Sequence, residues 1–268
     1  MRADPRQLVR WQCEGWRGVM RVGEAGPAAW LRAAEATGEA RNSRHARTMA
    51  TTQAGATFWL KVYPRPDGHR ARRAARMMAA LPRAGLAAPE VVLVGTRDGD
   101  GLLVTRDVGG VPLAESFPGA GGSRQAKWGR LRALGRAVAA LHGAGFVHGD
   151  LVPSNVHVRG EDHVFLDHDR TRRSRLLVWW HGRRNLVQLG RFVVDGIGTT
   201  DRARVFAAYA DARGLGRRAR RRLVRWVVDK TIQRRCAIDH IAPDVARRAG
   251  FARLMRSGGP FASGGTAA

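Results

Sequence analysis

Strand-type runs crowd into the first 105 residues of this chain, and from residue 185 onward the apolar patterns are helical. Segregation of that kind excludes a regular alternation of strand and helix and favours an α+β arrangement. FWLKVYP (58–64) sets aromatic and branched residues around one Lys and is closed by Pro64 and Pro66, which predicts a strand. EVVLVG (90–95) and GLLVT (101–105), separated by TRDGD, predict a hairpin. HRARRAARMMAAL (69–81) predicts a helix stopped near Pro82 and Gly85. The polar stretch between Gly38 and Gly55 fits two short strands and a turn, and Trp11, Trp16 and Trp30 point to a partly ordered start.

A Gly-containing link, DVGGVPLAE, then introduces the second half. Ser123 is a candidate N-cap for a helix to about residue 143, with Leu131, Leu134, Val138 and Leu141 on one apolar face. FVHGDLVPSNVHV reads as a loop entering a short strand, and HVFLDHD (163–169) as a second strand ending in acids. NLVQLGRFVV, RVFAAYADARG and RRARRRLVRWVVDKTIQRR read as helices. The expected organisation is two-lobed: residues 1–105 a small β-rich lobe, 106–110 a hinge, 111–258 a mainly helical lobe, and 259–268 a disordered tail.

The chain has 47 Lys and Arg against 22 Asp and Glu, a formal net charge of +25. All but three of the cations (Lys61, Lys127 and Lys230) are Arg, in a chain rich in Ala and Gly, so biased codon usage competes with an anionic partner as the explanation. Two distant cysteines, Cys13 and Cys236, exclude a disulfide framework. The start, MRADPRQLVRWQ, lacks the apolar core of a secretory signal, and no apolar run is long enough to span a bilayer, so a cytoplasmic location is expected.

Against this cationic background, HGDLVPSN (148–155) places Asp150 among small and apolar residues. Phosphoryl transfer asks for cations on the phosphates, oxygen ligands for metal, and a carboxylate near the attacking hydroxyl. Asp150 on its loop can orient or accept a hydroxyl proton; Asn155 and Asp167 can give oxygens to Mg²⁺. A hairpin between them brings Asn155 and Asp167 to one end of paired strands. Lys61 is a Lys where this chain nearly always writes Arg, and a compact ammonium suits a phosphate.

H-G-D-L-x-x-x-N resembles the protein-kinase catalytic loop H-R-D-L-x-x-x-N, and Gly149 in place of Arg is similar to aminoglycoside and choline kinases. LDHD (166–169) stands where those folds carry a metal-binding Asp. FWLKVYP, GLAAPEVVLVG, HGDLVPSN and VFLDHDR together resemble the bacterial lipopolysaccharide core kinases, which phosphorylate Kdo or heptose sugars, over about residues 35 to 215. The resemblance implies a two-lobed protein-kinase-like fold using ATP and Mg²⁺. Asp150 would be catalytic, Asn155 and Asp167 would hold metal, Lys61 the nucleotide phosphates, and the backbone of 105–110 the adenine. His148 would brace the turn. Gly38, in ATGEARNSR, would belong to the nucleotide loop, although no G-x-G-x-x-G is present.

One departure is clear. The helix after Lys61 has no acid; Ala74 or Ala75 falls where kinase-like folds place a Glu. Glu35, Glu39 or Asp67 substitutes for it, or Lys61 lacks that partner. Asp169 is either a second metal ligand or a partner for Arg170 or Arg172. RTRRSRLLVWWHGRR (170–184) brackets paired Trp179 and Trp180 with Arg, which fits peripheral contact with an anionic membrane at the inner face of the cytoplasmic membrane, or a core segment. RRARRRLVRWVV (217–228) reads as an Arg-rich exposed face on a core-packed helix, and nucleic acid is not expected as a partner. The expected acceptor is an anionic, lipid-linked sugar. The alternatives are an aminoglycoside- or choline-type phosphotransferase and an inactive kinase-like binding protein.

Overall fold

The computed structural model describes residues 8–35, 40–117, 123–174, 176 and 178–256. The chain divides into two compact units, Met1–Gly109 with Asp167–Asp169, and Gly110–Leu166 with Arg170–Ala268.

The first unit is built on one seven-stranded antiparallel sheet. Its strands are β1 (Leu8–Cys13), β2 (Trp16–Arg21), β3 (Ala40–Asn42), β4 (Arg47–Gln53), β5 (Ala56–Tyr63), β6 (Val91–Arg97) and β7 (Asp100–Arg106), in the order β1-β2-β6-β7-β5-β4-β3. Three two-residue turns join neighbours: Glu14-Gly15, Ala54-Gly55 and Asp98-Gly99, each with both φ values positive. That is the turn whose twist matches the strands it joins, and Gly supplies the second left-handed residue without strain.

Side chains of the central strands alternate between two apolar layers. Phe58 and Leu60 of β5 and Leu102 and Val104 of β7 pack with Trp30 and Leu31 of helix α1 (Pro27–Glu35). Tyr63 and Leu103 pack instead with Ala71, Ala74, Ala75 and Met78 of helix α2 (His69–Ala80). Those four α2 positions recur at i, i+3, i+4 and i+7, so small residues let the helix lie close on the sheet. Lys61, two positions before Tyr63 and paired with Leu103, takes the α2 side by the same alternation.

The expectations for β5, α2 and the β6–β7 hairpin match these elements. The first 35 residues hold more than the three Trp had indicated: β1 and β2 extend the sheet, and Trp11, Trp16 and Trp30 all enter its core.

The second unit carries short strands β8 (Val111–Pro112), β9 (Phe146–Val147), β10 (Val156–Arg159), β11 (Asp162–Phe165) and β12 (Arg172–Arg173). Its helices are α3 (Arg124–Gly143), α4 (Val178–Gly190), α5 (Thr199–Ala212), α6 (Arg217–Ile238) and α7 (Pro243–Leu254). Ser123 caps α3 as its side chain accepts the Ala126 N–H, and Leu131, Leu134, Val138 and Leu141 are buried. α3 packs along α5, and α4 along α6.

Two boundaries differ from the sequence reading. β11 stops at Phe165, because Asp167 takes a left-handed φ of 55° that no strand accommodates. The helix expected over NLVQLGRFVV ends at Gly190. The Arg-rich start of α6 is exposed, with Arg218, Arg222 and Arg225 on one stripe. In the LLVWW run, Leu176 is 87% and Trp180 60% exposed, whereas Val178 is buried. Residues 259–268, expected to be a tail, lie outside the described residues. Among the described residues no helix is long and apolar enough to cross a membrane.

Candidate active site

The first unit holds a partly buried cluster of two carboxylates around one ammonium. Lys61 Nζ donates to Asp167 Oδ1 at 2.8 Å and to Asp169 Oδ2 at 2.7 Å. The Tyr63 hydroxyl donates to Asp169 Oδ1 at 2.5 Å. Burial works against the charge on Lys61, but the two carboxylates outweigh it and hold its pKa above the ordinary value. Burial also raises the Tyr63 phenol, reinforced by Asp169, so Tyr63 stays a donor. Burial and then the charge of Asp167 push the Asp169 carboxyl upward, against the pull of Lys61.

Lys61 is therefore turned inward, and its partners are not those weighed from sequence. Asp67 instead accepts from Arg70 at 2.7 Å and pairs with His45 Nδ1 at 2.9 Å, and Glu35 is exposed. Ala74, where a helix Glu was considered, is fully buried against the sheet. Neither Arg170 nor Arg172 is the ion-pair partner of Asp169; Lys61 is. Glu39 and Gly38 lie outside the described residues.

The loop carrying Asp150 belongs to the second unit. Asp150 is half-buried and follows Gly149, whose φ is 81°. The Asp150 carbonyl accepts the Val152 N–H and the Asn155 side-chain amide, both at 3.0 Å. Leu166 N–H donates to the Asn155 carbonyl at 2.8 Å, extending the β10–β11 pairing to the residue before Asp167. His148 is completely buried, and its Nε2 lies 2.6 Å from the Leu166 carbonyl. That contact supports the bracing part expected of it.

A Cβ on Gly149 would lie 2.5 Å from the Arg170 carbonyl oxygen, and the φ is one that only Gly adopts freely. Gly149→Ala is expected to destabilise the protein by about 2–3 kcal/mol, the range of strain plus overpacking. Urea unfolding of the variant checks this, and an unchanged midpoint would refute the close approach.

Asp167 and Asp169 bring carboxylate oxygens to the same ammonium, donors of the kind a hard divalent cation takes. Sequence reasoning missed Tyr63, and it missed Asn185 and Gln188 of α4. Asn185 accepts the His148 N–H at 3.0 Å, and Gln188 donates to the Gly149 carbonyl at 2.7 Å. Two amides inside the apolar run RNLVQLG were the only sign of them.

The model of the lipopolysaccharide kinase (Kdo/WaaP) family matches residues 60–209, more than half of the 268-residue chain and spanning Lys61 to Asp167. The structure titled "WaaP in complex with acyl carrier protein" superposes with a TM-score of 0.61 at 20% identity, covering 76% of this chain and 92% of that one. An aminoglycoside-3'-phosphotransferase of type VIII superposes at 0.54 with 16% identity, covering 76% and 97%. Both likenesses show a kinase-like fold. A 98-residue stretch, 37% of the chain, is 34% identical to the probable bifunctional tRNA threonylcarbamoyladenosine biosynthesis protein of Methanothermobacter thermautotrophicus. The chain spans 16% of the length of the curated relatives it matches.

Proposed function

The chain belongs to the lipopolysaccharide kinase (Kdo/WaaP) family, and we propose that it transfers the γ-phosphoryl group of ATP to a sugar hydroxyl of the lipopolysaccharide inner core, Kdo or heptose, or of a related envelope glycolipid. Phosphoryl transfer comes with the family; the acceptor is the proposed part. The observation that carries the reading is Lys61, buried in the sheet and held protonated by Asp167 and Asp169 inside the matched span.

In this reading Asp150 orients the acceptor hydroxyl and takes its proton as the bond to phosphorus forms. Lys61 binds nucleotide phosphates, exchanging carboxylate partners for phosphate oxygens. Asp167 and Asn155 would hold Mg²⁺, which when bound offsets charge on the phosphates. Gly38 would lie in the nucleotide loop, and the backbone of 105–110 would meet the adenine. The division into a nucleotide lobe, a hinge at 106–110 and a catalytic lobe belongs to the same proposal.

The net charge of +25 favours an anionic acceptor over a cationic aminoglycoside. Exposed Leu176 and Trp180, with exposed Arg172 and Arg173 in the same segment, suit peripheral docking on anionic lipid.

The test is transfer from γ-labelled ATP to a Kdo- and heptose-bearing glycolipid held in anionic vesicles, to the same sugar freed of its acyl chains, and to kanamycin. Labelling of both sugar acceptors is expected, with Trp180→Ser slowing only the vesicle-held one. Labelling of kanamycin alone would overturn the acceptor assignment, and equal rates for Trp180→Ser would remove the docking surface.

A further inference from the structure

α4 lays two amide side chains, one helical turn apart, against the loop that carries Asp150. Asn185 is completely buried, and burying an amide is costly unless its hydrogen bonds are met. Here they are. Asn185 Oδ1 accepts the His148 N–H at 3.0 Å and lies 3.1 Å from His142 Nε2, and Asn185 Nδ2 donates to Gln188 Oε1 at 2.8 Å.

Gln188 then spends both ends of its amide on the loop. Nε2 donates to the Gly149 carbonyl at 2.7 Å, and Oε1 accepts the Leu151 N–H at 3.2 Å. The Gly149 carbonyl belongs to the peptide plane before the Asp150 Cα. The Leu151 N–H belongs to the plane after it, whose carbonyl is held by Asn155 and Val152. Rotation of those two planes is the φ and ψ of Asp150. One side chain therefore grips both planes, and together they aim the Asp150 Cα–Cβ bond.

The grip is anchored from behind. Since Asn185 Oδ1 can only accept, His142 Nε2 carries the ring proton, and Nδ1 accepts from the Tyr209 hydroxyl at 3.0 Å. Burial pushes His142 down to about 4, so the ring stays neutral and this tautomer persists through the physiological range. The chain of contacts thus runs from α5 through α3 and α4 to the loop.

We infer that Gln188, oriented by Asn185, is a positioning residue for phosphoryl transfer: it fixes the direction of Asp150 without touching substrate. This rests on the reading of Asp150 given above. A carboxylate misplaced by an ångström can lose about 100-fold in rate.

The experiment measures turnover, KM for ATP and urea midpoints for Gln188→Met, Asp150→Asn and the double variant, with transfer to the sugar acceptor or to water as the rate. Gln188→Met keeps the length and loses both loop bonds. It is expected to lower kcat about 10- to 100-fold, leave KM for ATP within twofold, and cause no further loss when added to Asp150→Asn. A group acting only through Asp150 has nothing to aim once the carboxylate is gone; a merely structural group would slow both backgrounds equally, and that result would overturn the inference. So would a kcat within twofold of wild type.

Should the Met variant fail to fold, Gln188→Glu carries the test. It keeps the acceptor for Leu151 and loses the donor to Gly149 unless protonated. Its kcat relative to wild type is then expected to recover as pH falls, and a pH-independent ratio would count against the assignment. Full turnover of Asp150→Asn would instead sink the reading of Asp150 itself, which distinguishes the two failures.

Discussion

Asp150→Asn is expected to lower turnover about 1,000-fold while leaving the affinity for MgATP close to that of wild type. A positioned proton acceptor is worth about 100- to 10,000-fold, and the amide cannot take a proton from the acceptor hydroxyl. The substitution is nearly isosteric. The bonds that hold this loop end on its main chain, at His148, Gly149, the Asp150 carbonyl and Leu151, so the backbone survives the change. Lys61 and Asp167, to which nucleotide binding is assigned, are untouched. Calorimetric titration with MgATP and a transfer assay separate the two effects. Wild-type turnover would show that Asp150 is not the base, and a matching loss of nucleotide affinity would make it part of the nucleotide site instead.

Lys61→Met is expected to damage both stability and activity. In wild type one ammonium faces Asp167 and Asp169 within the same partly buried cluster. Removing one partner of a buried pair leaves an uncompensated charge and costs about 3–5 kcal/mol. The Asp167 side chain is 37% exposed and solvent relieves part of this, so a loss of about 3 kcal/mol at neutral pH is expected.

The pH dependence has a definite sign. Burial, then Asp167, already raises the Asp169 carboxyl; removing Lys61 takes away its charge and its hydrogen bond, which pull the other way, and leaves only the Tyr63 hydrogen bond of the three named opposing influences. A group whose folded pKa lies above its unfolded value favours folding fully below the unfolded pKa and loses that favour as pH rises through the folded one. The deficit of Lys61→Met against wild type should therefore be larger at neutral pH and shrink as the pH falls toward 4. Urea midpoints across that range measure it. A deficit that grew on acidification would mean the cluster is not held as two carboxylates and an ammonium. Transfer should fall at least 100-fold in the same variant, because Met offers phosphate no charge.

Much of this could be read from local pattern. The aromatic and branched residues of FWLKVYP, closed by Pro64, gave β5. The apolar spacing after Ser123 gave α3 its cap and its buried stripe. HGDLVPSN followed by HVFLDHD predicted a loop and two short strands, and the fold contains them, with the second strand ending before Asp167. Two glycine turns were harder to see: Glu14-Gly15 and Ala54-Gly55 lack the flanking apolar runs that made Asp98-Gly99 legible, because β1 and β4 expose much of one face.

Sequence by itself determined the elements and the candidate chemistry, since strand alternation, helix stripes and turn residues are decided by neighbours within a few positions. It did not say which acid would meet Lys61. Asp67, only six residues away, turns to His45 and Arg70, while Asp169, 108 residues away, takes the ammonium with Tyr63. Nor did it say that Gln188, 39 residues past Gly149, would hold both peptide planes around Asp150. Those pairings are made by side chains that only the packed fold brings within hydrogen-bond reach, where a buried polar group must find a partner whatever its distance along the chain.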